Sequence, residues 1–228
     1  MSQVPNIDEA FFATRVARMT MDELWATGWR HQGHLFFRYD ACEMQGGWHQ
    51  IVPVRIKVAD FCMSKSQRRV WRKNADLRWE VVPAVIDEDT HEIFDRHRHR
   101  FSDNVPDTIN CFFSDRPQDL PCDCLALRAF LGKKLVAVSY LDLGQHSTSS
   151  VYAVFDPDYS KRGLGTMTLL KELELSAESG MRYFYPGYAT RESSHYDYKK
   201  TFNALQGMDW PSYRWVDWDG STEGPVVE

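Results

Sequence analysis

The chain has 228 residues and a mass of 26.6 kDa, with 43% hydrophobic and 14% aromatic residues. That supports a substantial core and excludes a disordered or collagen-like chain, while no apolar run reaches the roughly 20 residues of a membrane-spanning helix. Lys and Arg number 27 against 32 Asp and Glu, a net charge of −5, so the surface as a whole does not suit nucleic acid and such a role would fall to a local basic patch. Met1 to Glu9 carries neither the positive flank nor the apolar stretch of a secretory signal, which points to the cytoplasm.

In chain order, Asp8 to Trp29 shows helical spacing of Phe11, Phe12, Val16, Met19, Leu24 and Trp25, with Thr20 placed to cap a second short helix and Gly28 to end it. His34 to Tyr39 and Ile51 to Phe61 read as strands, the second interrupted by Pro53, and Ala41 to Gln50 with Gly46-Gly47 reads as a loop. Ser64 is a helix cap for Lys65 to Asn74, and Asp87 or Asp89 opens an amphipathic segment through Phe101. Ser102 to Asp123, with three prolines, is an irregular connector holding one apolar piece, Ile109 to Phe113. Leu135 to Asp142 and Ser149 to Phe155 form a hairpin by spacing. Lys161 to Gly180 is a helix with Gly180 at its C-terminal cap, Arg182 to Tyr185 is a short strand closed by Pro186-Gly187, and Asp217 to Glu228 reads as a solvated acidic tail.

Five cysteines, Cys42, Cys62, Cys111, Cys122 and Cys124, form an odd, scattered set that suits reduced thiols. The Cys122-x-Cys124 spacing is short of the two to four residues usual for zinc, so neither a metal nor another cofactor is expected.

Two features carry chemistry. At Phe155-Asp156-Pro157-Asp158-Tyr159-Ser160-Lys161-Arg162-Gly163-Leu164-Gly165-Thr166 a strand runs into a helix through two glycines, and a helix N-terminus with close backbone approach is a phosphate or oxyanion cradle. Ordinary turn duty for the glycines is the plainer reading. Residues 53–74 hold Arg55, Lys57, Lys65, Arg68, Arg69, Arg72 and Lys73 against Asp60 alone, 7 − 1 = +6. That contrast suits tRNA phosphates or an acidic side chain, or else a solvated helix face. A second basic stripe, Arg96 to Arg100, reads as a titrating surface helix.

The order hairpin, glycine turn, helix, short strand is similar to the Gcn5-related acyltransferase fold, with Gly163 and Gly165 matching its signature and Ser160 departing from the usual Gln or Arg. A longer resemblance is to the aminoacyl-tRNA–protein transferases, the arginyl and leucyl transferases that tag N-termini for degradation. Gly28-Trp29-Arg30, Val52-Pro53-Val54-Arg55, Ser64 through Leu77, Ser149-Ser150-Val151-Tyr152 through Thr166, and Tyr183 through Tyr188 followed by Tyr198-Lys199-Lys200-Thr201-Phe202 carry it. The family's cysteine clusters, linked to metal or iron–sulfur binding, are reduced here to Cys42.

The resemblance implies an α+β fold: a mixed, mostly antiparallel sheet flanked by helices, with a smaller N-terminal α/β subdomain over 1–75, a core over 76–216 and a tail over 217–228. It implies transfer of Arg or Leu from aminoacyl-tRNA to the N-terminal amine of acceptor proteins bearing a destabilising first residue. Tyr188, Tyr185 and Asp156 are then expected at the chemistry, with Tyr188 assisting proton transfer. Arg68, Arg69, Asn74, Tyr152, Lys161, Arg162, Gly163, Gly165, Thr166 and Lys199 are expected to bind substrate or tRNA. An acetyl-CoA-dependent N-acetyltransferase, or a degenerate domain that only binds tRNA or N-terminal peptides, are the alternatives.

Overall fold

Alternation of side chains along paired strands organises this protein, whose computed structural model describes residues 6–44, 47–100, 105–194 and 197–225. The elements are β1 (Asp8–Phe12), α1 (Arg18–Ala26), β2 (Arg30–Gln32), β3 (Leu35–Tyr39), β4 (Ala41–Met44), β5 (Gly47–Lys57), α2 (Lys65–Lys73), β6 (Arg78–Pro83), α3 (Glu88–Arg98), β7 (Cys124–Leu131), β8 (Lys134–Leu143), β9 (Ser147–Phe155), α4 (Leu164–Glu178), β10 (Tyr183–Thr190), β11 (Leu205–Asp209) and β12 (Arg214–Asp217). Among the described residues, β1, β3 and β2 form a small antiparallel sheet. A nine-stranded sheet runs β12-β11-β5-β10-β9-β8-β7-β6, with β4 hairpinned onto β5. Every pairing in the large sheet is antiparallel except β10 with β9. The α+β expectation therefore holds, and no helix of the described residues is long and apolar enough to cross a membrane.

Neighbouring residues on a strand face opposite sides of a sheet. Leu127 and Leu141 pack with Leu169, Leu170 and Leu173 of α4, while Ala126 and Tyr140 pack with Ile93 and Phe94 of α3. The two helices therefore cover opposite faces, and β8 between them is buried from Leu135 through Asp142. α2 is nucleated by a capping box, Ser64 with Gln67, and lies against α4.

Several expectations are corrected. The apolar residues at the start of the Asp8–Trp29 segment are in β1, not a helix: Phe11 stacks on Phe36 of β3 at 5.0 Å and meets Trp29 edge-on at 4.8 Å. α1 then starts at Arg18 with Ala17 as its cap, so Thr20 lies inside it. The 41–50 stretch is a β4–β5 hairpin rather than a loop, with Gly46 and the Phe101 end of the α3 segment outside the described residues. α4 begins at Leu164, preceded by a 3-10 turn over Pro157–Arg162. The boundary placed at residue 75 is crossed by the main sheet, since β5 lies between β10 and β11. The acidic tail is docked through residue 225: Trp218 is 5% exposed in the α4 core, and Pro225 lies against Gly207. Residues 226–228 lie outside the described part.

Candidate active site

The sheet splits where β9 and β10 part. Their parallel pairing covers only Tyr183↔Ser147 to Tyr185↔Ser149, after which β10 bulges between Phe184 and Gly187 and continues along β5. The backbone of β9 is thus left without a β10 partner at Ser150, and a buried polar group there needs a replacement. Arg30 of β2 supplies it, one guanidinium nitrogen donating to Ser149 Oγ and the other to Ser150 O. Burial lowers the pKa of this guanidinium, and the nearby Tyr188, Asp142 and Glu172 oppose that; it nevertheless stays charged, as guanidinium does in proteins.

Two further groups face the split. Glu172, fully buried on α4, looks toward the Ser150 and Ser139 hydroxyls; burial pushes its carboxyl up to about 8, and those hydroxyls and Arg30 only partly offset this. Lys199, from the 3-10 turn Asp197–Thr201, donates to Tyr188 O at 3.2 Å. Burial, reinforced by Arg30, brings its amine down to about 7. Gly187, at φ +108°, lies beneath both cations: a Cβ added there would sit 3.1 Å from Lys199 Nζ and 3.8 Å from Arg30 Nη2. Only glycine takes that φ freely, and it also keeps the two cations close to the backbone. A shallow depression beside them is lined by Trp25, Trp29, Arg30, Pro53, Tyr185 and Tyr188.

The split collects a permanent cation, an amine able to be neutral near pH 7 and a carboxyl able to be protonated there. Such displaced titrations beside a cleft mark candidate chemistry.

The predicted residues divide among five places. Tyr188 and Lys199 are at the split, although the Tyr188 hydroxyl donates to Gly28 O at 2.6 Å and burial raises its pKa. Tyr185 is nearby but packs between Trp25 and Trp215, its phenol raised to about 12 by burial. Asp156 lies six residues beyond Ser150 along β9, about 20 Å at strand rise. Its carboxylate takes ion pairs from Arg96 and Lys134, both at 2.8 Å, and accepts from the Asp158 amide. Burial pushes it up, but those partners outweigh burial and hold it below the usual carboxylate range.

The glycine turn sits at the start of α4, eight residues or about 12 Å from Glu172 along the helix axis. It is roofed by α2: Lys73 Nζ donates to Lys161 O at 2.5 Å, Asn74 Nδ2 donates to Arg162 O at 3.0 Å, and Val70 lies 3.4 Å from where a Gly163 Cβ would be. Arg162 pairs with Asp76 through two nitrogens, and Gly165 faces Phe155. Thr166 follows in the first turn of α4, partly buried. The structure thus places Asn74, Lys161, Arg162, Gly163 and Gly165 at a helix junction rather than at an open cradle. Tyr152 stacks on Phe112 at 3.8 Å on the α3 side. Arg68 and Arg69 stand exposed on α2, Arg68 donating to Met63 O at 2.5 Å.

Sequence reasoning quoted Arg30 and Ser149-Ser150 only as motif letters and passed over Glu172, a charged residue on the apolar stripe of a helix. That misplaced charge was the available signal. Cys42 stands across from His49 of β5 and lies outside the one group of three ligand-bearing side chains among the described residues.

Comparison with known proteins agrees with this architecture. The family model for arginine-tRNA-protein transferase, C terminus, matches residues 89–209. An aspartate/glutamate leucyltransferase of Stenotrophomonas maltophilia is 32% identical over 205 residues, covering 86% of this chain and 79% of that protein. One of Acinetobacter baumannii is 30% identical over 196 residues, covering 84% and 70%. Among solved structures, the C-terminal DUF2156 domain of an Agrobacterium fabrum protein superposes with a TM-score of 0.50 at 14% identity, covering 85% of this chain and 57% of that one. FemX does so at 0.50 and 8%, covering 78% and 61%. These two share the fold.

Proposed function

This chain belongs to the aminoacyl-tRNA–protein transferase family and is an acyltransferase-class enzyme, and we propose that it moves leucine from charged tRNA to proteins beginning with Asp or Glu. The relatives' names give the donor and acceptor classes. The observation that carries them to this chain is the convergence of Arg30 and Lys199 over Gly187 at the strand split. With Glu172 pushed toward its neutral form, Arg30 and a protonated Lys199 face one nearby carboxylate, Asp142, and the positive charge left over suits an acidic acceptor side chain.

In this reading Arg30 receives the acceptor carboxylate on the N–H groups not spent on β9. The acceptor α-ammonium, with a pKa of about 7.7 to 8.0, passes a proton to the Lys199 amine, which is matched to it at about 7. The freed nitrogen attacks the ester carbonyl; the C–N bond forms and the ester C–O bond breaks, Lys199 returns its proton to the leaving ribose oxygen, and the second proton the nitrogen sheds on becoming an amide passes through Lys199 to solvent. Tyr188, held on Gly28 O, shapes the wall beside the amine. The exposed face of α2, with Arg68 and Arg69, takes tRNA phosphates. The roofing of the glycine turn by α2 removes the support that turn gave to the acetyl-CoA alternative. The reading requires the cytoplasm, where charged tRNA is found.

The test offers labelled Leu or Arg as charged tRNA to peptides beginning with Asp, Glu, Lys or Arg, beside an acetyl-CoA control. Leu incorporation confined to the Asp and Glu peptides is expected. Arg preferred over Leu, or equal use of basic termini, overturns the assignment.

A further inference from the structure

Beside the strand split, three side chains from distant parts of the chain meet: His31 on β2, Cys122 just before β7 and Asp142 on β8, with Nε2 or Nδ1, Sγ and carboxylate atoms all within 4.8 Å of one another. The place is dry. The His31 and Asp142 side chains are 5% and 4% exposed, and Cys122 lies in a cluster with Met21, Trp25 and Phe36. Cys124 comes to the same carboxylate.

His31 defines the need. Its Nδ1 lies 3.0 Å from Gly33 O and its Nε2 lies 2.6 Å from Asp142 Oδ2, so both ring nitrogens face acceptors. A neutral imidazole carries one N–H and can serve one of them. If Nδ1–H serves Gly33 O, the Nε2 and the carboxylate oxygen, 2.6 Å apart, share a proton, which an ion held by both together with Cys122 would displace. A backbone carbonyl on the far nitrogen is the outer contact that orients metal-binding histidines.

We propose that His31 Nε2, Cys122 Sγ and Asp142 hold a divalent metal ion. A mixed nitrogen, sulfur and oxygen set selects zinc over calcium or magnesium, which take oxygen, and it lacks the four thiolates of an iron–sulfur cluster. On binding, the ion displaces the Cys122 thiol proton and any proton shared by His31 and Asp142 to solvent. The ion would clip β2 to β7 and β8 and so steady the adjacent Arg30 as it enters the strand split. The inference is independent of which amino acid is transferred.

The experiment uses untagged full-length protein purified under reducing conditions, stripped with chelator and reloaded with Zn²⁺ or Co²⁺. One equivalent of zinc by elemental analysis is expected, with a higher melting temperature than the stripped protein. Cobalt should give tetrahedral visible bands and a near-ultraviolet thiolate charge-transfer band. Cys122→Ser and His31→Ala should each lower stoichiometry at least tenfold, while Cys42→Ser keeps it. If either variant fails to fold, the wild-type cobalt spectrum decides: a thiolate band supports the site, and bound cobalt without one refutes it. Wild-type protein that takes up less than a tenth of an equivalent, or full binding by folded Cys122→Ser, overturns the proposal.

Discussion

Replacing Lys199 with Met should stabilise the protein and disable it, and the pH dependence of the gain identifies the cause. The amine falls from 10.5 to about 7, a displacement of 3.5 pH units at about 1.4 kcal/mol each, so holding it as ammonium in the folded state costs at most about 5 kcal/mol. Lys199 keeps part of its surface in water, which screens that penalty, and Met gives up the N–H bond to Tyr188 O, worth about 1 kcal/mol. A net gain of about 2 kcal/mol is therefore expected at pH 6. The sign follows from proton counting. Below pH 7 the native amine is charged and bears the whole penalty. Between 7 and 10.5 the unfolded chain binds more protons than the native one, so wild-type stability recovers as pH rises and the advantage of the variant shrinks. Urea unfolding of both proteins at pH 6 and 9 measures this, and transfer to an Asp-initiated peptide should fall at least 100-fold. A variant less stable than wild type at pH 6, or one transferring within threefold of it, would show that Lys199 is neither strained by burial nor the proton acceptor.

Changing Arg68 and Arg69 together to Gln should weaken charged-tRNA binding for every acceptor and flatten its logarithmic salt dependence by roughly 0.7 to 0.9 per lost phosphate contact; unchanged affinity and slope would return α2 to a solubilising face. Asp156→Asn leaves Arg96 and Lys134 facing a neutral amide, and about 3 kcal/mol of stability should be lost at pH 7. Because the native carboxyl lies below its ordinary 3.8, that contribution is present above 3.8 and fades as pH falls through the native value, so the two proteins should converge in acid. A pH-independent difference would argue against ion pairing as its source. Gly163→Val places a branched side chain at φ +71° against Val70, so it should melt earlier, by at least 1 kcal/mol; an unchanged melt with lost transfer would restore the turn as a ligand cradle.

What could be read from the chain was local. Ser64 with Gln67, and Asp87 accepting from the Thr90 amide, announced two helix starts because both partners lie within one turn. The β8–β9 hairpin was visible because its apolar runs are separated by a short polar loop. β1 was misread because Phe11 and Phe12 fit a helical stripe until pairing with β3 captures them, a tertiary contact that propensity does not contain. β6, β7, β11 and β12 escaped notice, and the docking of Trp218 was invisible because the acidic residues around it mask one buried indole.

The site shows the same limit. Lys199 could be named from a motif, but its surroundings could not, because what makes the amine unusual is its burial, reinforced by the approach of Arg30, 169 positions earlier in the numbering (199 − 30). Neither residue is strange alone. Arg30 is needed structurally because β10 leaves β9 at Ser150, and the parting of those strands is also what brings Arg30, Lys199 and Glu172 together. The same guanidinium thus closes the backbone of a broken sheet and depresses the neighbouring amine. An Arg30→Lys exchange should fail at both tasks, since one ammonium cannot span Ser149 Oγ and Ser150 O as a planar fork does. This coupling explains why two cations and a carboxyl persist where apolar residues would pack more stably: the sheet cannot be split for chemistry without leaving polar groups that something charged must meet.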